Sequence, residues 1–339
     1  MKAFVISEPK TTHTTDIPVP SPGPEEVLLQ IRTMGLCGTD LNIYRGTNPL
    51  VSYPRIPGHE IGATIREIGE EVPEQFATGM PVAVYPGTHC GECSACRQGR
   101  YNCCRNNQIF GVQREGAFTE YVVVPYNKLY PSASLSPREL ALVEPLAVGV
   151  HAAGRAEVQG DEDLVVFGCG MIGLSVIAAA TAEGARVIAV DIDRQKLAVA
   201  EKAGAAECVD ASGTDLHDAL RSLTRDEGPL VAVEAVGRPE TFRQAVEEVA
   251  FAGRVVYIGY ASRPVEYDTS LFVKKELDIR GSRNSMPVDF EQAIRLLEQG
   301  RIPVDAIVTK TVPFDRIGAV LADWDARPQQ VTKIQVQVS

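Results

Sequence analysis

No basic segment offsets the chain's formal charge of −11, which argues against a nucleic-acid or anionic-membrane partner. No internal repeat of solenoid type recurs along the 339 residues and no segment is low in complexity, so repeat arrays and biased linkers drop out. The opening stretch MKAFVISEPK has a lysine but only a short apolar run before Glu8 and Pro9. It lacks the form of a signal peptide, and the expected location is the cytoplasm. One long charge-free run needs weighing: Leu164 to Ala182, LVVFGCGMIGLSVIAAATA, is long enough to span a bilayer. Three glycines within six residues interrupt it and predict a strand, a tight turn and a buried helix instead of a membrane span.

What is present fits a globular protein: 45% apolar and 23% charged residues, over a length that predicts two domains. Up to about residue 146 the chain reads as short strands broken by Pro and Gly, such as EEVLLQIRTMG, IGATIREIG, PVAVYP and FTEYVVVP. That pattern predicts a β-rich domain, a partly closed barrel. Beyond EPLAVGVHAAGRA the runs LVVFG, RVIAVD, AECVD, VAVEAVG, RVVYIG and LDIRGS alternate with amphipathic helical stretches. Buried strands alternating with helices predict an α/β domain with a doubly wound parallel sheet of six strands.

Five of the eight cysteines crowd into HCGECSACRQGRYNCC, residues 89–104. A disulfide cluster, a redox pair and a metal site compete there, and the expected cytoplasmic location favours metal. Cys90, Cys93, Cys96 and Cys104 follow C-x2-C-x2-C-x7-C, a spacing suited to four thiolates around one tetrahedral Zn²⁺. The intervening loop is rich in Gly, Ser and Arg and poor in core formers, so a closed, structural zinc would hold what apolar packing cannot. Cys103 is left over, since neighbouring side chains usually point apart.

In LVVFGCGMIG, residues Gly168, Gly170 and Gly173 form G-x-G-x-x-G, with Met171 and Ile172 between, directly after a strand and opening a helix. Gly168 permits the tight turn, Gly170 leaves room for a pyrophosphate, and Gly173 lets helix pack on strand, with the helix N-terminus turned to the anion. Asp191 follows eighteen residues past Gly173, at the end of VIAVD, where a carboxylate takes both ribose hydroxyls and repels a 2′-phosphate. NAD is therefore expected over NADP, with Arg194 close enough in sequence to complicate the preference.

Three pieces remain: GLCGTDLN with Cys37, Thr39 and Asp40; IPGHEIG with His59 and Glu60; and LVEPLAVGVHAA with Glu144. Singly, each has a bland reading as a buried thiol, a loop histidine or a surface charge. Together they offer thiolate, imidazole and carboxylate, a mixed set suited to a zinc with an open position.

With these motifs in order, the chain resembles the zinc-dependent medium-chain dehydrogenase/reductase family, in its polyol, sorbitol, galactitol and sugar-acid dehydrogenase branch, related to the alcohol and threonine dehydrogenases. GLCGTD, PGHEIG, the cysteine lobe, EPLAVGVHA, GCGMIG and VDIDRQK occur in family order. The resemblance implies a GroES-like catalytic domain over 1–146 carrying the structural-zinc lobe (about 89–104), a Rossmann domain over 147–283, a return to the catalytic domain over 284–339, and an active site in the cleft. It implies two zinc ions per chain. Cys37, His59 and a carboxylate, Glu60 or Glu144, would hold the catalytic one. Asp40 would support the ligand histidine, Thr39 would take the substrate proton, and Asp191 with Lys196 would bind the adenosine ribose. One departure is Asn42, where family members often have a histidine: an amide cannot relay a proton by titration.

The expected reaction moves a hydride between a secondary alcohol and NAD, with zinc lowering the alcohol pKa. Arg283 and Asn284, just past the sixth strand, are expected to donate to hydroxyls or a carboxylate beside the reacting carbon, which points to a polyol, sugar or sugar acid. An L-threonine 3-dehydrogenase is the alternative within enzymes, and a zinc-stabilised, NAD-binding sensor without turnover is the alternative outside them. A small-molecule substrate and a homo-oligomer, dimer or tetramer, are the expected partners.

Overall fold

A computed structural model of the chain describes residues 1–338. The N-terminal part contributes β1 (Lys2–Glu8), β2 (Thr11–Asp16), β3 (Glu26–Leu36) and β4 (Glu60–Ile68). It continues with β5 (Pro81–Val84), β6 (Tyr121–Pro125) and β7 (Leu129–Pro131). The middle part alternates strand with helix through β8 (Asp163–Phe167), β9 (Arg186–Asp191) and β10 (Glu207–Asp210). β11 (Val231–Glu234), β12 (Arg254–Tyr257) and β13 (Asp278–Gly281) complete it. β14 (Val308–Pro313) and β15 (Lys333–Gln337) lie near the C-terminus.

Two compact units result. The first comprises Met1–Glu144, Met286–Glu298 and the chain from Ile307 onward; the second comprises Pro145–Ser285 and Gln299–Ala306. Residues 299–306 thus group with the second unit, inside the segment whose sequence suggested a simple return to the first.

In the first unit a seven-stranded sheet runs β14-β15-β3-β4-β5-β7, with β6 also paired to β3. The long strand β3 organises it. Its apolar residues Val27, Leu29, Ile31 and Met34 are fully buried against Phe4, Phe118 and Ile334. β3 pairs antiparallel with β15, β4 and β6, and two register shifts against β4 bend it. A late strand, β15, therefore lies beside an early one, and this brings Lys333 next to Leu36 and Glu60.

The second unit holds a six-stranded parallel sheet in the order β10-β9-β8-β11-β12-β13. That order reverses between β8 and β11, which is the ligand-binding switch point of a Rossmann sheet. Strands such as LVVF and VIAV are apolar on both faces because helices cover both. The charge-free run from Leu164 resolves as β8, a turn and the helix Met171–Ala182, nearly all of it buried. Among the described residues no helix is long and apolar enough to cross a membrane.

Candidate active site and metal centres

Cys37 directly follows β3 and stands at the entrance of the helix Gly38–Arg45. His59 immediately precedes β4, and Glu60 is its first residue, opposite Gly35 of β3. One donor atom each from Cys37, His59 and Glu60 lies within 4.8 Å of the others. Gly35 is a requirement of this arrangement: a Cβ there would stand 1.7 Å from Glu60 Oε2.

Charge in the cluster is organised around buried groups. Asp40, fully buried, accepts from the backbone N–H of Cys37 (2.9 Å) and of Gly58 (3.2 Å). Burial raises its pKa, against the lowering influence of His59 and those N–H groups. Burial works against the imidazolium of His59, yet the hydrogen bond and charge of Cys37, with Asp40 and Glu144, hold its pKa well above the ordinary histidine value. His59 Nδ1 is buried without a hydrogen-bond partner. An orphaned imidazole nitrogen beside a thiol and a carboxylate is the donor chemistry of a zinc site, so these residues fit the metal.

Glu60 is fully buried and receives both bonds of Lys333 Nζ, at 2.6 and 2.8 Å, while the same ammonium donates to Leu36 O at 3.2 Å. Sequence reading missed Lys333. Its only signal was a lysine inside the apolar alternation of KIQVQ, and its partner lies 273 residues away. Glu144, in the first turn of the helix Val143–Ala156, lies outside the 4.8 Å set but close enough to influence His59 and Lys333. Burial pushes its carboxyl up to about 7, against the pull of His59. Thr39 is half-buried in the first turn after Cys37, and Asn42 is exposed one turn on.

The cysteine lobe forms a second centre. The sulfurs of Cys90, Cys93, Cys96 and Cys104 gather within 4.8 Å, three of these residues buried, and all are free thiols. Sγ–Sγ separations are 3.5 Å for Cys93–Cys96 and 3.6 Å for Cys104–Cys90. A disulfide needs about 2.05 Å, whereas thiolates about 2.3 Å from a tetrahedral zinc stand roughly 3.8 Å apart, so the lobe fits the metal. Backbone N–H groups of Cys96 and Arg105 pull the Cys93 thiol down to about 6, while burial pushes Cys96 up to about 12. Cys103, in the short turn Tyr101–Cys103, takes no part.

The glycine-rich loop of the second unit is explained glycine by glycine. Gly168 has φ 93°, a left-handed turn. A Cβ at Gly173 would meet Gly168 O at 1.8 Å, whereas the space around Gly170 is open. Met171 and Ile172 begin the helix that Gly170 caps. Asp191 Oδ2 accepts from Cys169 N at 2.7 Å and Oδ1 from Asp193 N at 3.0 Å, so the carboxylate is tied to the loop. Arg194 turns away: its Nε bonds Asp210 at 2.7 Å, with the side chain 88% exposed. Lys196 is half-buried in the same helix, Arg194–Lys202. Arg283 is exposed after β13, and Asn284 has a left-handed φ of 50°, which asparagine adopts more readily than most residues.

Comparison with known proteins finds a family match in each of the two units. Residues 23–134 match the alcohol dehydrogenase GroES-like domain, and residues 172–299 match the zinc-binding dehydrogenase model. The chain is 33% identical over 314 residues to the L-galactonate-5-dehydrogenase of Escherichia coli K12, covering 93% of this chain and 92% of that protein. It is 34% identical over 320 residues to the sorbitol dehydrogenase of Bacillus subtilis, covering 91% and 89%. Among solved structures, an alcohol dehydrogenase of E. coli CFT073 complexed with cofactor NADH superposes with a TM-score of 0.92 at 28% identity, over 100% of this chain and 99% of that one.

Proposed function

The chain belongs to the zinc-dependent medium-chain dehydrogenase/reductase family, and on that premise we propose an enzyme that moves a hydride between a secondary alcohol of a polyol, sugar or sugar acid and NAD. The observation that carries this reading is the meeting of half-buried Cys37 with buried His59 and Glu60, with His59 Nδ1 lacking any partner.

Two zinc ions per chain are proposed, one held by Cys37, His59 and Glu60, the other by Cys90, Cys93, Cys96 and Cys104. Zinc held by Cys37, His59 and Glu60 would supply polarisation of the alcohol oxygen, and NAD would supply the hydride acceptor. The protein's own groups do the rest. Lys333 neutralises Glu60, and Asp40 fixes the backbone on either side of the ligand pair through Cys37 N and Gly58 N. Glu144 supplies a second carboxylate whose charge supports His59. Thr39 offers the hydroxyl that receives the alcohol proton; Asn42, one turn on, is exposed and has no titratable group to carry it further, so that route would use water or the cofactor ribose.

For the cofactor, the open space at Gly170 and the N-terminus of the following helix receive the pyrophosphate, and Asp191 with Lys196 takes the ribose. Arg194 is engaged by Asp210, which leaves Asp191 to set the preference for NAD. We assign Arg283 and Asn284 to substrate hydroxyls next to the reacting carbon.

The test is a substrate panel on zinc-loaded protein with NAD and with NADP, scoring polyols, sugar acids and L-threonine. The reading requires NAD-dependent oxidation of a polyol or sugar acid, with ethanol poor. Preference for L-threonine, or for ethanol, would overturn it.

A further inference from the structure

Several half-buried or buried cations of this protein meet a carboxylate: Arg55 pairs with Glu115, Arg254 with Glu162, Arg280 with Glu157 and Lys333 with Glu60. Lys275 instead caps three backbone carbonyls. Two cations of the first unit do neither fully, and they are neighbours. Arg114 lies with its guanidinium 3.8 Å over the ring of Phe110, and one Nη donates to Pro86 O at 3.2 Å. Its Nε is buried with no partner. Lys128, in the turn between β6 and β7, stands 5.0 Å from the centre of the Tyr85 ring. No carboxylate pairs with either among the described residues.

The two side chains bear on each other. Burial lowers the pKa of both, and Arg114 lowers that of Lys128 further. His89 joins them, lowered by burial and by Lys128. Ring faces account for part of this arrangement, since a cation over an aromatic ring gains about 0.5–2 kcal/mol. They do not occupy in-plane N–H donors, and they do not explain why like charges are kept together without an acid in a chain of net charge −11. Arg114 bonds Pro86 and Lys128 stands over Tyr85, the chain neighbour of Pro86, so two cations without a counter-charge sit side by side, the complement of an external anion.

The position matters. Tyr85, beneath Lys128, feels the charges of Glu144 and Asp289 on its hydroxyl, and Glu144 in turn supports His59. Tyr85 follows β5 directly and its backbone N–H bonds Lys128 O at 2.9 Å, while β5 pairs with β4 through Ala83 and Gly62, the latter two residues from Glu60, so the cations and the proposed catalytic donors lie on adjoining strands of the first unit. We propose that Arg114 and Lys128 bind an anionic group of the substrate, a carboxylate or a phosphate monoester, at the end remote from the reacting carbon. The substrate is then a sugar acid or a polyol phosphate, and a neutral polyol is a truncated version of it. The inference rests on the polyol and sugar-acid reading above and narrows it.

The experiment uses zinc-loaded full-length protein and three probes of one carbon skeleton: L-galactonate, galactitol 1-phosphate and neutral galactitol. The ratio of kcat/KM for the better anion to that for galactitol is expected to be about 10–100, the range for charge-assisted hydrogen bonds. Arg114→Gln and Lys128→Met are each expected to shrink that ratio by about tenfold, mainly through KM, and Arg114→Lys to restore part of it. The arm that responds identifies the anion as carboxylate or phosphate. Thermal melts check folding; if Arg114→Gln melts early through loss of its stacking on Phe110, Lys128→Met decides. A wild type indifferent to the anion, or a double variant with the ratio intact, overturns the proposal. If no alcohol turns over, the dehydrogenase reading fails separately. Calorimetry of the two anions then judges the site: binding lost in Lys128→Met supports it, and equal or absent binding in wild type and variant overturns it.

Discussion

The sulfur lobe draws all four donors from residues 90–104, whereas the mixed cluster draws Cys37, His59 and Glu60 from the meeting of two strands and its balancing charge, Lys333, from a third. The lobe has no ammonium of its own at the sulfurs. Backbone N–H groups pull the Cys93 thiol down to about 6 while burial pushes Cys96 up to about 12, and four thiolates gathered there would need a dication for charge balance. The mixed cluster already holds an internal cation, Lys333, and backbone donors from Cys37 and Gly58. A centre that depends on its ion for charge balance is suited to holding structure. One that is balanced beforehand is free to exchange ligands at its ion.

The largest expected break in that comparison is His59→Ala. Zinc content should fall from two to one per chain and turnover by about a thousandfold or more, since the metal supplies several kcal/mol of transition-state stabilisation. The melting temperature should stay close to wild type. Early unfolding would show that the mixed cluster also carries the fold.

Lys333→Met comes next. Removing one partner of a fully buried pair leaves Glu60 uncompensated and should cost about 3–5 kcal/mol by denaturant titration. Lys333→Arg should recover part of that loss. Interaction with Glu60 and the charge of Cys37 keep the ammonium above the ordinary lysine range despite burial. The pair's contribution is therefore complete below the unfolded-state lysine pKa and fades only as pH rises past the raised folded value. Stability lost between pH 7 and 9 would have to come from elsewhere.

Cys93→Ser should act on the other centre. Loss of one zinc should lower stability by about 2 kcal/mol or more, a fall in Tm of roughly 4–8 °C, with turnover retained in the folded fraction. Activity lost without a change in Tm would reverse the roles assigned to the two centres. The smallest effect is on cofactor choice: kcat/KM for NAD should exceed that for NADP by about tenfold, or about 1.4 kcal/mol. Equal values would mean that the carboxylate of Asp191 does not face the 2′ position.

The same contrast explains what the amino-acid sequence discloses. The lobe and the glycine-rich loop are readable because their parts are sequential: thiol spacing and G-x-G-x-x-G encode local geometry. The six-stranded sheet is readable because buried strands and amphipathic helices alternate at distinct periods. Lys333 escapes because its meaning comes from β15 pairing with β3, a contact between chain ends that no local pattern signals. Glu60 and Glu144 were indistinguishable as carboxylates in sequence. Only packing puts Glu60 among the donors at 4.8 Å and Glu144 outside them. Arg114 and Lys128 carry no motif at all; their shared property, a missing counter-charge, exists only once the chain is folded.

The two bonds of Asp191, to Cys169 N and Asp193 N, bear on how such a protein could change its diet of cofactors. The residue to which we assign discrimination against a 2′-phosphate is also the clasp that pins the glycine turn to the next helix. Replacing it with a small neutral side chain, the obvious route to accepting NADP, would release both amides at once. A lineage, or an engineer, would reach the phosphorylated cofactor with less damage by keeping the clasp and freeing Arg194 from Asp210, so that selectivity changes at a neighbouring position while the loop stays fastened.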